Sequence, residues 1–299
     1  MGNDFYRGLF VGLITLDLIY LASSPPQNNQ KLVASDYTVA AGGPATNAAV
    51  AFNHLGGRAK LLGVLGSHPM TQLIRTDLEK YQVTITDLER FGQNPPPVSS
   101  IIVTQTTGER AVISINAVKT QVNHTAISRN ILKNLEATTD TYIDIILIDG
   151  HQIEVGYHIA QLAKARNIPV VIDGGSWKPG FEKILPFVDF AICSANFHPP
   201  NCRTEQDTFA YLDQMGIPNI AITHGEQPIS YLSEKEILTI NVPKIQPTDT
   251  LGAGDIFHGA FCYYILQHSF AEALSFSAKV AARSCQFFGT RRWLDSDTI

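Results

Sequence analysis

Six short apolar runs, separated by stretches of helical periodicity, constrain this chain more than any other feature. Leu9–Ile14, Lys60–Val64, Ile143–Ile148, Pro169–Ile172, Phe190–Cys193 and Ile220–Thr223 read as strands. Pro44–Leu55, Pro69–Tyr81, Val155–Arg166, Thr204–Met215, Ala253–His268 and Ala271–Phe288 read as helices, the last with Gly289 as its C-cap. Strands this apolar must be covered on both faces. Their alternation with helices predicts an α/β fold in which a mainly parallel sheet lies between helix layers. Ligands of such sheets bind beyond the carboxyl ends of the strands.

Two stretches break the alternation. Asp17–Ala41 places a polar loop, Ser23 to Asn29, between β-like segments. Val98–Asn116 follows three prolines (Pro95, Pro96, Pro97) and reads as a hairpin: Ser99–Thr104, a turn at Thr107-Gly108-Glu109-Arg110, then Ala111–Asn116. The strands alone fit either a small sheet inserted twice into the α/β body or an extension of the main sheet. We assign residues 1–16, 42–96 and 120–299 to the body, and 17–41 and 97–119 to the small sheet.

The 299 residues, 44% of them hydrophobic, suffice for one large domain, alone or with a small appendage. The net charge of −5 and the lack of a Lys/Arg run give nucleic acid or an anionic membrane no electrostatic footing. No apolar run reaches the roughly 18 residues of a membrane span. Residues 1–7 show no signal-peptide pattern, so a cytoplasmic protein is expected. Cys193, Cys202, Cys262 and Cys285 lack metal-ligand spacing, and Cys262 and Cys285 fall on apolar helical patterns as core residues. The nine histidines are dispersed, which argues against a protein-held transition metal.

Chemistry concentrates at Asp249-Thr250-Leu251-Gly252-Ala253-Gly254-Asp255. Small residues there precede an apolar helix stripe of Ile256, Phe257, Ala260, Phe261, Tyr264 and Ile265. The free N–H groups and dipole of such a helix start favour an anion, and glycine lets it approach. Asp255 lies one turn inside, where a base for a hydroxyl attacking a phosphate belongs. A tight turn with an ordinary first-turn acid is the plainer reading. Gly42-Gly43-Pro44-Ala45-Thr46-Asn47 is a second Gly-rich helix start, with Pro44 suited to the first helical position. Asn47 offers a donor and acceptors to a polyol hydroxyl, or is a buried cap. Asp17 follows the first strand, where a turn residue is also common.

Together these strings resemble the ribokinase-like (PfkB-type) carbohydrate kinases. Asp-Thr-x-Gly-Ala-Gly-Asp-x-Phe at 249–257 resembles the C-terminal signature, and the segment from Ala41 to Gly57 resembles the N-terminal one. The resemblance implies a ribokinase-like three-layer fold with a discontinuous β lid, often used for dimerisation, and ATP-dependent phosphorylation of a sugar or related polyol. It implies Asp255 as base, Gly252, Ala253 and Gly254 as anion hole, and Asp17, Gly42, Gly43 and Asn47 as sugar contacts. The lid residues Asn116 and Arg110 are expected to set specificity. Asn196, Thr223, Gly225 and Thr250 are expected on the nucleotide side.

The nucleotide half departs from the family pattern. Asn196-Phe197-His198-Pro199 has proline where an Asn-x-x-Glu acid would help organise Mg²⁺, leaving Asp173 or Glu205 as candidates. Pro228 replaces the second glycine of a Thr-x-Gly-x-x-Gly loop that starts at Thr223. Lys178 could reach phosphate or be an ordinary surface lysine. Ser284 and Gly289 lie where relatives shape an adenine pocket or a monovalent-cation loop. The strings around Asp17, Gly42 and Asp255 look most like the ketohexose-type branch. A nucleoside kinase of the adenosine type, or a non-catalytic sensor on the same scaffold, are the alternatives. A dinucleotide oxidoreductase lacks its Gly-x-Gly-x-x-Gly after the first strand, and a P-loop kinase lacks its lysine motif.

Overall fold

The structure is a computed structural model that describes residues 5–115, 121–136 and 142–295. The chain enters a large sheet at β1 (Arg7–Val11) and leaves at once for β2 (Thr15–Ala22) and β3 (Asp36–Gly42) of a second sheet. It returns through α1 (Pro44–His54), β4 (Arg58–Gly63), α2 (Thr71–Lys80) and β5 (Thr84–Asp87). The hairpin β6 (Val98–Thr104) and β7 (Arg110–Ile113) completes the second sheet. Then follow α3 (Arg129–Glu136), β8 (Ile145–Ile148), α4 (Ile153–Lys164), β9 (Val170–Gly174), α5 (Phe181–Ile184) and β10 (Phe190–Ser194). The chain finishes with α6 (Glu205–Gln214), β11 (Asn219–His224), β12 (Gln227–Ser233), β13 (Glu236–Ile240), α7 (Ala253–Tyr264) and α8 (Phe270–Ser284).

The large sheet runs β13-β12-β11-β10-β9-β8-β1-β4-β5. It is parallel from β11 to β5, and the hairpin β12–β13 adds an antiparallel edge. Successive residues of β1 show why both faces need helices. Leu9 and Val11 enter one core with Ile146, Ile159, Phe181 and Phe209, while Phe10 enters the other with Phe52, Leu147, Phe261 and Leu274. All three β1 residues are fully buried. On the second face α1 crosses α7 closely at Gly259, where a Cβ would lie 2.2 Å from the Ala48 carbonyl oxygen.

The second sheet is separate and runs β3-β2-β6-β7, with β2 and β6 parallel and the outer pairs antiparallel. This decides between the two arrangements the strand patterns allowed. Ile19, Ile101 and Val103 pack on Phe288, with Leu251 at the margin, so the sheet seats against the loop that starts α7. Tyr37, Val39, Val112 and Ile113 are exposed on it.

Several expected boundaries shift. α8 stops at Ser284, because the Cys285 carbonyl accepts the N–H groups of Thr248 and Asp249 at 2.7 and 3.1 Å and the chain turns away. Gly289 is therefore not the C-cap; it adopts a φ of 75° and donates its N–H to Asp249 Oδ2 at 2.8 Å. α7 ends four residues before His268, at Tyr264. The strands β5, β12 and β13 and the helix α3 were not anticipated, since short or exposed segments carry little periodicity. Cys193, Cys262 and Cys285 are buried and all four cysteines are free. Among the described residues no helix is long and apolar enough to cross a membrane.

Candidate active site

Gly252 precedes α7 in the left-handed region, with φ 70°. A Cβ there would lie 2.9 Å from Thr290 Cγ2 and 3.4 Å from Asn47 Nδ2, so both conformation and space require glycine. The Ala253 N–H reaches the Thr250 carbonyl at 3.4 Å, whereas those of Gly252 and Gly254 donate to no described residue. The helix start thus presents open donors at the positive end of its dipole.

Asp255 sits beside these donors. Its Oδ2 accepts a hydrogen bond from Asn47 Nδ2 at 2.8 Å, and Asn47 Oδ1 accepts one from Arg291 Nη1 at 2.9 Å. The guanidinium has only donors, so it fixes the amide with its oxygen toward Arg291 and its NH₂ toward the carboxylate. Burial raises Asp255 from the ordinary 3.8 to about 7. The charge of Asp173 adds to the rise, while the Asn47 hydrogen bond, His258 and Arg110 oppose it. A carboxylate in this state changes charge near neutral pH, which suits a general base working there.

Arg291 organises the surroundings. It is buried, donates from Nη2 to the Ala41 carbonyl at 2.7 Å, and from Nε to Asp77 Oδ2 at 3.2 Å. Asp77 Oδ2 also accepts the Ala41 N–H at 3.0 Å, so α2 and the end of β3 are tied to the same guanidinium. No motif marked Arg291, whose partners Ala41, Asn47 and Asp77 are far away in sequence.

Asp17 is buried in β2 and accepts a hydrogen bond from Thr15 Oγ1 at 2.8 Å. Burial pushes its carboxyl above the usual carboxylate range, against the opposing effects of Thr15, Ser99 and Arg291. The carboxylate lies over Gly42, where a Cβ would meet Oδ2 at 2.0 Å. Gly43 is the N-cap of α1 with φ 103°, and a Cβ there would meet the Leu13 carbonyl at 2.3 Å. Behind it, Asp149 Oδ2 accepts the N–H groups of Leu13 and Ala45 at 2.9 and 3.2 Å, fixing the turn after β1 to the first turn of α1. Sequence reasoning missed Asp149, whose only local signal is a strand end followed by Gly150. Hydrogen bonds and close approaches thus bring Asp17, Gly42, Asn47, Gly252 and Asp255 into one neighbourhood, with Gly43 at the start of α1 and Ala253 and Gly254 at the start of α7. Asn116 lies outside the described residues.

Three of the expected nucleotide residues, Asn196, Thr223 and Gly225, lie along the carboxyl edges of β10 and β11, and no hydrogen bond joins these three to the Asp255 group among the described residues. Asn196 is exposed and donates its N–H to Ser194 Oγ at 3.1 Å. Thr223 Oγ1 donates to the Cys193 carbonyl at 3.4 Å. Gly225, with φ 63°, turns β11 into β12, and Pro228 is already in that strand, so the loop is a hairpin turn. Thr250 belongs to the second sheet's contact: its Oγ1 donates to the Gly108 carbonyl and accepts from Arg110 Nη1, both at 3.1 Å. Lys178 Nζ stands 5.4 Å from the centre of the Phe181 ring.

Neither candidate metal acid belongs to a cage. Glu205 Oε2 is 2.6 Å from His224 Nε2, and Asp173 Oδ2 is 3.6 Å from His258 Nδ1. Among the described residues no three His, Cys, Asp or Glu side chains cluster to hold a metal ion. The open N–H groups of α7 are the feature that fits a phosphate.

Comparison with known proteins identifies the family and the fold. The model of the pfkB family of carbohydrate kinases matches residues 9–297. The ribokinase of Bacillus subtilis (strain 168) is 22% identical over 284 residues, covering 94% of this chain and 93% of its own. The deoxyribokinase of Salmonella typhi is 23% identical over 278 residues, covering 88% and 87%. A solved structure of Arabidopsis thaliana ribokinase complexed with ribose and ATP superposes with a TM-score of 0.76 at 20% identity, covering 98% of this chain and 99% of that one. With a large mainly parallel sheet, a small separate sheet and Asp255 at the start of α7, this chain has the ribokinase-like fold and belongs to the pfkB family of carbohydrate kinases.

Proposed function

We propose that this protein transfers the γ-phosphoryl group of ATP to a hydroxyl of a sugar or related polyol. The observation that carries the reading is Asp255, a carboxylate raised to about 7 beside open N–H groups at a helix start. In the reaction a substrate hydroxyl gives its proton to Asp255 as its oxygen attacks the γ-phosphorus. The bond from that phosphorus to the bridging oxygen breaks, and ADP leaves. The N–H groups of Gly252 and Gly254 stabilise charge on the transferred phosphoryl oxygens, and cost no reorganisation because the helix already aims them.

Asp17 and Asn47 orient the sugar. The Asn47 amide keeps one N–H free beyond the one held by Asp255, and Asp17 supplies acceptor oxygens beside Gly42. The second sheet, seated on Leu251 and tied to Thr250 through Gly108 and Arg110, covers the cleft and limits water as a competing acceptor. Asn196, Thr223 and Gly225 line the edge where the nucleotide lies. Mg²⁺ arriving with ATP would supply charge neutralisation on the phosphates.

The test is ADP release with Mg-ATP across a panel of ketohexoses, pentoses, deoxypentoses, sulfosugars and nucleosides. Turnover on one sugar class, reduced at least about a hundredfold in Asp255→Asn, supports the reading. Turnover on nucleosides alone replaces the substrate class, and tight sugar binding without turnover on any acceptor makes the protein a sensor.

A further inference from the structure

The residues Thr248 to Leu251 lead into the start of α7, and the body of the protein holds all of them but Thr250. The Cys285 carbonyl accepts the N–H groups of Thr248 and Asp249. The Asp249 carboxylate accepts the Leu251 N–H through Oδ1 and the Gly289 N–H through Oδ2, both at 2.8 Å. Thr250 is held from the other side. Its N–H and its hydroxyl both donate to the Gly108 carbonyl at 3.1 Å, in the turn between β6 and β7. Arg110 Nη1 donates to the hydroxyl oxygen at 3.1 Å and to the Thr250 carbonyl at 3.3 Å. That carbonyl also takes the Ala253 N–H at 3.4 Å, so Arg110 and the first turn of α7 share one oxygen.

The turn is shaped for this contact. The Thr104 carbonyl accepts the N–H groups of Thr107 and Gly108 at 3.2 and 2.8 Å, and the Glu109 carbonyl accepts the Thr104 N–H at 2.8 Å, which stiffens it. Gly108 is buried with φ 68°, and a Cβ there would lie 3.1 Å from the Thr248 carbonyl carbon and 3.2 Å from the Asp249 nitrogen. Glycine lets the two backbones meet this closely. The register sets Arg110 opposite Val103, and Val103 packs on Phe288, so Arg110 lies on the face of the sheet turned toward the body.

We propose that Thr250 is a positioning residue for phosphoryl transfer, through which the second sheet sets the anion hole as well as covering the cleft. The turn fixes the N–H and the carbonyl of Thr250. These in turn fix where the N–H groups of Gly252 and Gly254 point, two and four residues on. With the sheet seated, the donors stand in place for the transferred phosphoryl group. With the sheet lifted, Thr250 loses its partners and the loop is free to turn the donors aside. This role rests on the proposed anion hole at the start of α7, and one arm of its test does not.

The first arm compares sugar phosphorylation with ATP hydrolysis in the absence of sugar. Thr250→Val keeps the shape and the backbone bonds but removes the hydroxyl. Both kcat for the sugar that turns over and the rate of hydrolysis should fall about tenfold, since a small misplacement of the donors suffices for that. KM for sugar and for ATP should stay within about twofold of wild type. Thr250→Ser, which keeps a hydroxyl, should restore both rates. Hydrolysis that rises while sugar phosphorylation falls makes the sheet only a cover against water and overturns the proposal. A raised KM for ATP with unchanged kcat makes Thr250 a nucleotide contact and overturns it too, as do unchanged rates. If Thr250→Val does not fold, Arg110→Gln, at an exposed position, removes bonds to the same hydroxyl and carbonyl and should show the same paired fall.

The second arm is hydrogen exchange on the whole chain without ligand. Peptides spanning residues 248–256 should exchange about threefold faster or more in Thr250→Val and Arg110→Gln than in the wild type or Thr250→Ser, with α4 unchanged. Equal exchange in all four proteins refutes the coupling whatever the substrate proves to be. Faster exchange in a protein whose wild type phosphorylates no acceptor refutes the kinase reading, and the catalytic role of Thr250 with it.

Discussion

Replacing Asp255 with Asn should remove most of the turnover and yet stabilise the protein at alkaline pH. The carboxyl is raised from 3.8 to about 7. Over those three units, at about 1.36 kcal/mol each, the folded state disfavours the ionised group by roughly 4 kcal/mol. Solvent on the open side of the residue screens part of this, leaving about 2 kcal/mol that an uncharged isostere recovers. The sign follows from proton counting. Between pH 3.8 and about 7 the folded state holds a proton that the unfolded state has lost, so wild-type stability falls as pH rises through this window and levels above it. The gap between Asp255→Asn and wild type should be near zero below pH 4, open through this window and stay constant at pH 8. For a chain of this size, 2 kcal/mol is about 4–8 °C in Tm. Thermal unfolding at pH 5, 6, 7 and 8 measures the gap. Kinetics on the same samples should show kcat reduced by about two to four orders of magnitude with little change in sugar affinity. A gap that does not vary with pH, or a variant less stable than wild type at pH 8, would refute the account of Asp255.

Arg291→Met should cost about 3–5 kcal/mol, because Asp77 and the Ala41 carbonyl lose a buried charged partner; urea unfolding checks it. Arg291→Lys should fold better but raise KM for sugar, since one ammonium cannot reach Asn47, Asp77 and Ala41 together. Gly259→Ala should destabilise by about 1–3 kcal/mol despite alanine's higher helix propensity, because the new methyl would press on the Ala48 carbonyl where α1 and α7 cross. A neutral or stabilising result there would show that the two helices separate freely. The wild-type kcat/KM profile should rise through about pH 7 as Asp255 loses its proton.

The alternation of strands and helices and the glycine-lined start of α7 were legible early because their signals are local. Leu9, Phe10 and Val11 are apolar in succession, which makes sense only for a strand covered on both faces, and both cores receive them. Gly252 and Asp255 lie three residues apart, so one helix start brings donors and acid together whatever surrounds it. The hairpin of the second sheet was readable from the turn at Gly108, but the allegiance of its strands was not. β2 pairs with β6 across about eighty residues, a register that no periodicity encodes.

What the sequence determined by itself was the alternation of strands and helices, the glycine-lined start of α7 and the acid within it, since each follows from neighbouring residues. Only the tertiary structure decided how that acid is tuned. Asn47 reaches Asp255 across 208 residues and Arg291 reaches Asn47 across 244. The Asp173–His258 contact joins β9 to α7, and Asp149 braces the turn beside Gly43. Burial and the placement of charges set the proton affinity of a carboxylate, and both belong to the packed molecule rather than to any segment of the chain.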